Sequence, residues 1–173
     1  SGSGNYSVAI YTGAGTGAFS SPVTTSVGSG HGSASGGAPN SMIAGDFNGD
    51  GKADLAFSTD DGLLDVMLAG SSGAMTFSSS LALPSGHLAI GVTTVDYNND
   101  GHLDLVVEVK NTNVMEGASP FVSLDLFQGS GTGGFSYTST FLTPGQPDYA
   151  TLGLVAGDFY GTDAGLQIAV PLS

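Results

Sequence analysis

The chain has no cysteine and no arginine, and among its 173 residues only Lys52 and Lys110 carry a fixed positive charge. Without cysteine there is neither a disulfide framework nor a thiolate metal site. Two lysines against 15 acidic residues leave a net charge of −13 at pH 7. Nucleic acid and anionic membrane are held mainly through Lys and Arg, so both are poor partners for this chain. A divalent cation suits the same balance. Charge of either sign is scarce, at 10% of residues against roughly 25% in an ordinary soluble domain. No apolar run approaches the roughly 18 residues of a membrane span, and no stretch of useful length has helical periodicity. The apolar share of 40% is too high for a disordered chain, and the length suffices for one domain with a core. The lack of cysteine, the scarcity of lysine and the abundant Ser, Thr and Gly resemble the composition of exported bacterial surface proteins.

What is present is repeated. An acidic loop, DFNGDGKADL, runs from Asp46 to Leu55 and returns as DYNNDGHLDL from Asp96 to Leu105. A damaged copy, DFYGTDAGLQI, runs from Asp158 to Ile168. Short apolar stretches precede and follow each copy. A second unit is a glycine-rich hairpin, closing on Phe19, Phe77 and Phe135 at equal intervals. Glycines supply positive φ for tight turns, and the β-branched or alternating flanks read as strands. Joined, the two units predict four strands per repeat. In the best copy these lie near 42–47, 54–59, 64–69 and 75–83. About 50 residues and four short strands per repeat are the signature of a β-propeller blade. A β-sandwich also uses short strands and Gly-rich turns, but phase-locked repetition of both units favours the propeller.

The loop DFNGDGKADLAF resembles the FG-GAP or VCBS-type repeat of the integrin α-subunit propeller and of many bacterial extracellular proteins, whose calcium loop follows Asp-x-Asp/Asn-x-Asp-Gly-x-x-Asp. The resemblance covers nearly the whole chain. Calcium takes six to eight oxygens from carboxylates, amides, carbonyls and water. In the first loop the candidates are Asp46, Asn48, Asp50 and Asp54, with the backbone carbonyl of Lys52. In the second they are Asp96, Asn98, Asp100 and Asp104, with the carbonyl of His102. The resemblance implies the same roles. An EF-hand would need a bidentate Glu at the twelfth position, where Phe57 and Val107 stand. The third loop keeps Asp158 and Asp163, but Tyr160 replaces the Asn, and one extra residue separates Asp158 from Gln167, the match to Asp54. Two calcium sites are therefore expected and a weak or lost third.

The repeats divide the chain into a half blade at 6–25, blades at 42–83 and 91–142, and a half blade at 152–171. Three blade equivalents cannot surround an axis that normally takes four to eight. Written end to end, GLQIAVPLS and SGSGNYSVAIY read as an ordinary connection between the second and third strands of one blade. The C-terminal half of one copy is thus expected to accept the N-terminal hairpin of another. Such head-to-tail contact gives a ring if it closes, a dimer being six-bladed, or a filament if it does not. The alternative is a segment of a longer propeller.

Catalytic signals are weak. His31, His87 and His102 show no zinc spacing and are expected on exposed loops. No Gly-x-Ser-x-Gly elbow occurs, and Glu108 and Glu116 lack a repeated context for a glycosidase pair. The insertions Val27–Ser41, Asn111–Pro120 and Thr143–Thr151 fall on the face opposite the acidic loops. Tyr149, His31 and Met115 there are candidate contacts to a glycan or a surface protein. Asn5-Tyr6-Ser7 fits the N-glycosylation pattern. The reading is a secreted or cell-surface, non-catalytic calcium-binding module that self-associates. Its alternatives are a lectin-like module or an accessory domain of a larger secreted protein.

Overall fold

A computed structural model describes residues 7–27, 41–59, 63–113, 121–147, 154–157, 159 and 167–169. Among the described residues all twelve elements are strands, and every pairing is antiparallel. Strands β1 (Ser7–Ile10) and β2 (Val23–Ser26) form a two-stranded sheet. A four-stranded sheet follows, of β3 (Ser41–Gly45), β4 (Asp54–Ser58), β5 (Leu63–Ala69) and β6 (Met75–Ala82), paired in chain order. The next has the same meander: β7 (His87–Val95), β8 (Asp104–Asn111), β9 (Phe121–Gly129) and β10 (Phe135–Pro147). Finally β11 (Val155–Gly157) pairs β12 (Gln167–Ala169). The fold is all-β and propeller-like, with two whole blades and two half blades.

Apolar side chains explain the stacking. Val8 and Val27 pack with Leu55, Phe57, Met67 and Met75 on one face of the first four-stranded sheet. Its other face sends Ala56, Leu64 and Val66 against Ala89, Val92, Leu105, Val107 and Val109 of the second. The far face of the second sheet packs Val106, Leu124 and Leu126 against Leu154, next to β11. The order is therefore half blade, blade, blade, half blade. Sheets covered on both faces have no polar side to alternate with, and β4 is buried at all five positions.

The register corrects the alignment of the hairpins. Three five-residue turns are each closed by a bond from first N–H to last carbonyl: Ala14 to Ala18, Gly70 to Ala74, Ser130 to Gly134, at 2.8–2.9 Å. Phe19 and Phe135 follow the turn directly, but in the middle copy Met75 does. Phe77 stands two residues later, opposite Met67, as Tyr137 stands opposite Phe127. A two-residue shift keeps a strand residue on the same face, so the spacing of phenylalanines hid it. Each outermost strand then carries a one-residue bulge, between Met67 and Val66 pairings and between Phe127 and Leu126 pairings.

Candidate metal centre

Each acidic loop joins the first two strands of its blade. In the first loop Asp46 turns its carboxylate onto the backbone. It accepts from Gly49 and Asp50 N–H at 2.8 and 3.1 Å through Oδ1, and from Gly51 N–H at 2.8 Å through Oδ2. Asn48 Oδ1 accepts from Asp50 N–H at 3.0 Å. Asp50 accepts from Lys52 N–H at 3.0 Å and pairs with the Lys52 ammonium at 2.6 Å. That side-chain bond, followed by the backbone one, holds the Asp50 carboxyl below its usual range.

The second loop repeats this. Asp96 accepts from Asp100 and Gly101 N–H at 3.1 and 2.9 Å, and Asn98 Oδ1 from Asp100 N–H at 3.0 Å. Asp100 accepts from His102 N–H at 2.9 Å, and this bond, then one from the Asn98 amide, holds its carboxyl low. No ammonium enters this loop; Asn98 Nδ2 and Gln128 Nε2 face Asp100 Oδ2 instead, at 2.8 and 3.3 Å.

Asp54 and Asp104 behave differently. Both are fully buried. Asp54 Oδ2 accepts from Phe47 N–H at 2.9 Å and its Oδ1 from Ala69 N–H at 2.8 Å. Asp104 takes the same pair of donors, Tyr97 and Gly129 N–H, at 3.0 and 2.8 Å. Each therefore clasps the start of its acidic loop to the end of the third strand. Burial pushes the Asp104 carboxyl up, against the two N–H bonds and with help from the charges of Asp100 and Asp96. In the third copy Phe159 N–H donates to Gln167 Oε1 at 2.7 Å, so Gln167 takes the structural place of Asp54. Asp158 and Asp163 lie outside the described residues, as do Tyr149, His31, Met115 and Asn5.

The donor chemistry fits a hard cation. All the side-chain donors are oxygens, and a carboxylate has about four acceptor sites, of which these use two or three. The backbone N–H groups fix the loop shape without exhausting the oxygens. Yet among the described residues no three His, Asp or Glu side chains converge closely enough to hold an ion between them.

Two buried polar features had no sequence signal. His87 begins β7 rather than sitting exposed in a loop. Its Nδ1 lies 2.8 Å from Asp125 Oδ2, across β8, with the imidazole 9% and the carboxylate 0% exposed. Thr140 donates to the other Asp125 oxygen, and Ser80 bonds Asp65 at the equivalent place in the first blade. His87 Nε2 faces the Asn111 amide at 3.2 Å, so both ring nitrogens lie against a neighbouring side chain. Glu108, on β8, is also fully buried, and among the described residues neither of its oxygens has a partner.

Similarity to known proteins follows the same period. The model of the FG-GAP-like repeat matches residues 1–57 and again 46–107, each match ending within the strand that follows an acidic loop. No curated protein and no solved structure matches the chain. Repeats of this family are generally non-catalytic and typically occur in extracellular or surface proteins. With loops, hairpins and blades recurring on that period, the chain belongs to the FG-GAP-like repeat family.

Proposed function

We propose that this chain is a non-catalytic, calcium-binding structural or adhesive module of the extracellular space, assembling head-to-tail by sharing a blade between copies. The observation that carries it is the pair of half blades on opposite sides of the stack. Among the described residues one shows outer strands, β1 and β2, and the other inner strands, β11 and β12, so that each complements the other. A sheet edge is a template for pairing, and a heterologous contact of this kind propagates into a ring or a filament. Light scattering on the purified chain tests it: a folded monomer at tens of micromolar, with calcium present, would sink the assembly.

Calcium would be held by Asp46, Asn48, Asp50, Asp54 and the Lys52 carbonyl, and by Asp96, Asn98, Asp100, Asp104 and the His102 carbonyl. Bound there, it would supply the positive charge that draws neighbouring carboxylates together and stiffens the connection between the first two strands. Adding calcium to protein stripped with EGTA is expected to raise the melting temperature by about 5–10 °C for each site held at 100 times its Kd, since each then contributes about 2.7 kcal/mol. An unchanged melting temperature would refute calcium binding. The Lys52 ammonium competes for Asp50 in the first loop only, so calorimetric titration should resolve two unequal sites with the second loop the tighter.

A further inference from the structure

The contact between the two whole blades is a plug in a socket. Phe47, in the first acidic loop, is 2% exposed. Its ring meets Phe135 of the second blade edge-on at 5.3 Å, and its carbonyl accepts from Gly133 N–H at 2.8 Å. Leu103 and Leu105 complete the surroundings. The counterparts of these four socket residues on the first blade are Met75, Gly73, Ala53 and Leu55. They line a cavity of about 460 Å³ that also touches Ile10 and Ala44. Gly73 holds the same left-handed backbone as Gly133, φ 77° against 86°. The first blade therefore presents a formed socket with no aromatic ring among the residues lining it.

The matching plug stands at the other end of the molecule. Phe159 occupies the Phe47 position of the third acidic loop. Its N–H is held by Gln167 as that of Phe47 is held by Asp54, and its ring lies over Gly157 as that of Phe47 lies over Gly45. It is 54% exposed. A second pair follows the same logic. Phe19, the counterpart of Phe135, is 71% exposed, and Gly15 and Gly17 (φ 72° and 85°) already match Gly131 and Gly133 (φ 70° and 86°). Tyr97 is the counterpart of Phe47 on the second blade.

We infer that Phe159 of one copy seats in the cavity between β1 and the first blade of a second copy, while Phe19 of that second copy closes on Tyr97 of the first. The inference rests on the blade-sharing reading and names its contact residues. Joining β11 and β12 of one copy to β1 and β2 of another puts both contacts in a single interface. Aromatic anchors in apolar pockets carry a disproportionate share of interface energy.

The test uses two variants and their mixture. Phe159→Ser removes the plug and Ala53→Glu spoils the socket; both positions are exposed, and circular dichroism checks that each variant folds. Phe141→Ser, at a 57% exposed site on β10, is the control. Each of the two variants alone is expected to weaken self-association at least tenfold by light scattering, and the control to leave it unchanged. An equimolar mixture should recover a dimer, because each variant retains the side the other lacks. Wild-type assembly that both variants keep at full strength overturns the inference and leaves blade sharing standing. Variants that fail alone and also fail in the mixture overturn it too. A monomeric wild-type chain overturns both readings.

Discussion

Asp54→Ala is expected to cost the fold about 2–6 kcal/mol in EGTA, where calcium has no part. The estimate counts two orphaned backbone donors, Phe47 and Ala69 N–H, at about 1–3 kcal/mol each. Against a typical total of about 5–15 kcal/mol this is a large fraction. The same change at Asp104 orphans Tyr97 and Gly129 N–H and should cost a similar amount. Asp54→Asn should fall between, because an amide offers one oxygen where two donors wait. Gln167 shows that state in the third copy, accepting from Phe159 N–H. Asp50→Ala provides the contrast: its bonds are exposed and local, so urea unfolding in EGTA should barely move. Equal loss from Asp54→Ala and Asp50→Ala in EGTA would show that the buried clasp contributes nothing beyond the loop, and would refute this account.

Glu108 makes the opposite prediction, that a substitution improves the protein. Its carboxyl is fully buried, faces the Gly91 backbone and has no hydrogen-bond partner among the described residues. Burial alone raises its pKa above the model-compound value of 4.5. A carboxyl whose folded pKa is raised penalises the fold once the unfolded chain can ionise. The Glu108 contribution to stability is therefore most favourable below pH 4.5, falls as pH rises through that value, and levels off above the folded pKa. Glu108→Gln removes the charge and should stabilise the fold at pH 7, with the gain vanishing near pH 4. Thermal melts of both proteins across pH 4–8 measure it. A variant no more stable than wild type at pH 7, or a gain independent of pH, would contradict the assignment.

Much of the architecture was legible in the residues. The strands of the first blade fall within a residue or so of the apolar stretches flanking DFNGDGKADL, because a tight Asp/Gly turn marks their ends sharply. Gln167 was placed opposite Asp54 in spite of the extra residue, and the hydrogen bond to Phe159 bears that out. The hairpin alignment was two residues out in the middle copy, since a period of two cannot distinguish Met75 from Phe77.

The buried polar groups were not legible, and for a different reason. Counting oxygens treats Asp54 and Asp104 as ligands in wait. It leaves out the backbone N–H groups that compete for them, which exist only once the third strand arrives. His87 and Asp125 meet across an intervening strand, 38 residues apart in sequence, with no local pattern to announce it. Glu108 sits in the run LVVEV, where alternation would point it to solvent. A sheet packed on both faces has no solvent side, so the rule that usually reads strands loses its meaning here.

That layering has a further consequence for how the molecule comes apart. Among the described residues each sheet packs chiefly on its immediate neighbours, so stability is close to a sum of nearest-neighbour terms with two end penalties. The ends are visible at β1 and just after it. Ala9 and Tyr11 are exposed, whereas their counterparts Asp65 and Met67, and Asp125 and Phe127, are buried by the preceding layer. An open stack of this kind frays from its outer layers while the middle holds. A stack whose outer layers are each other's neighbours has no ends to fray. Cooperativity of unfolding then becomes a property of protein concentration as much as of sequence.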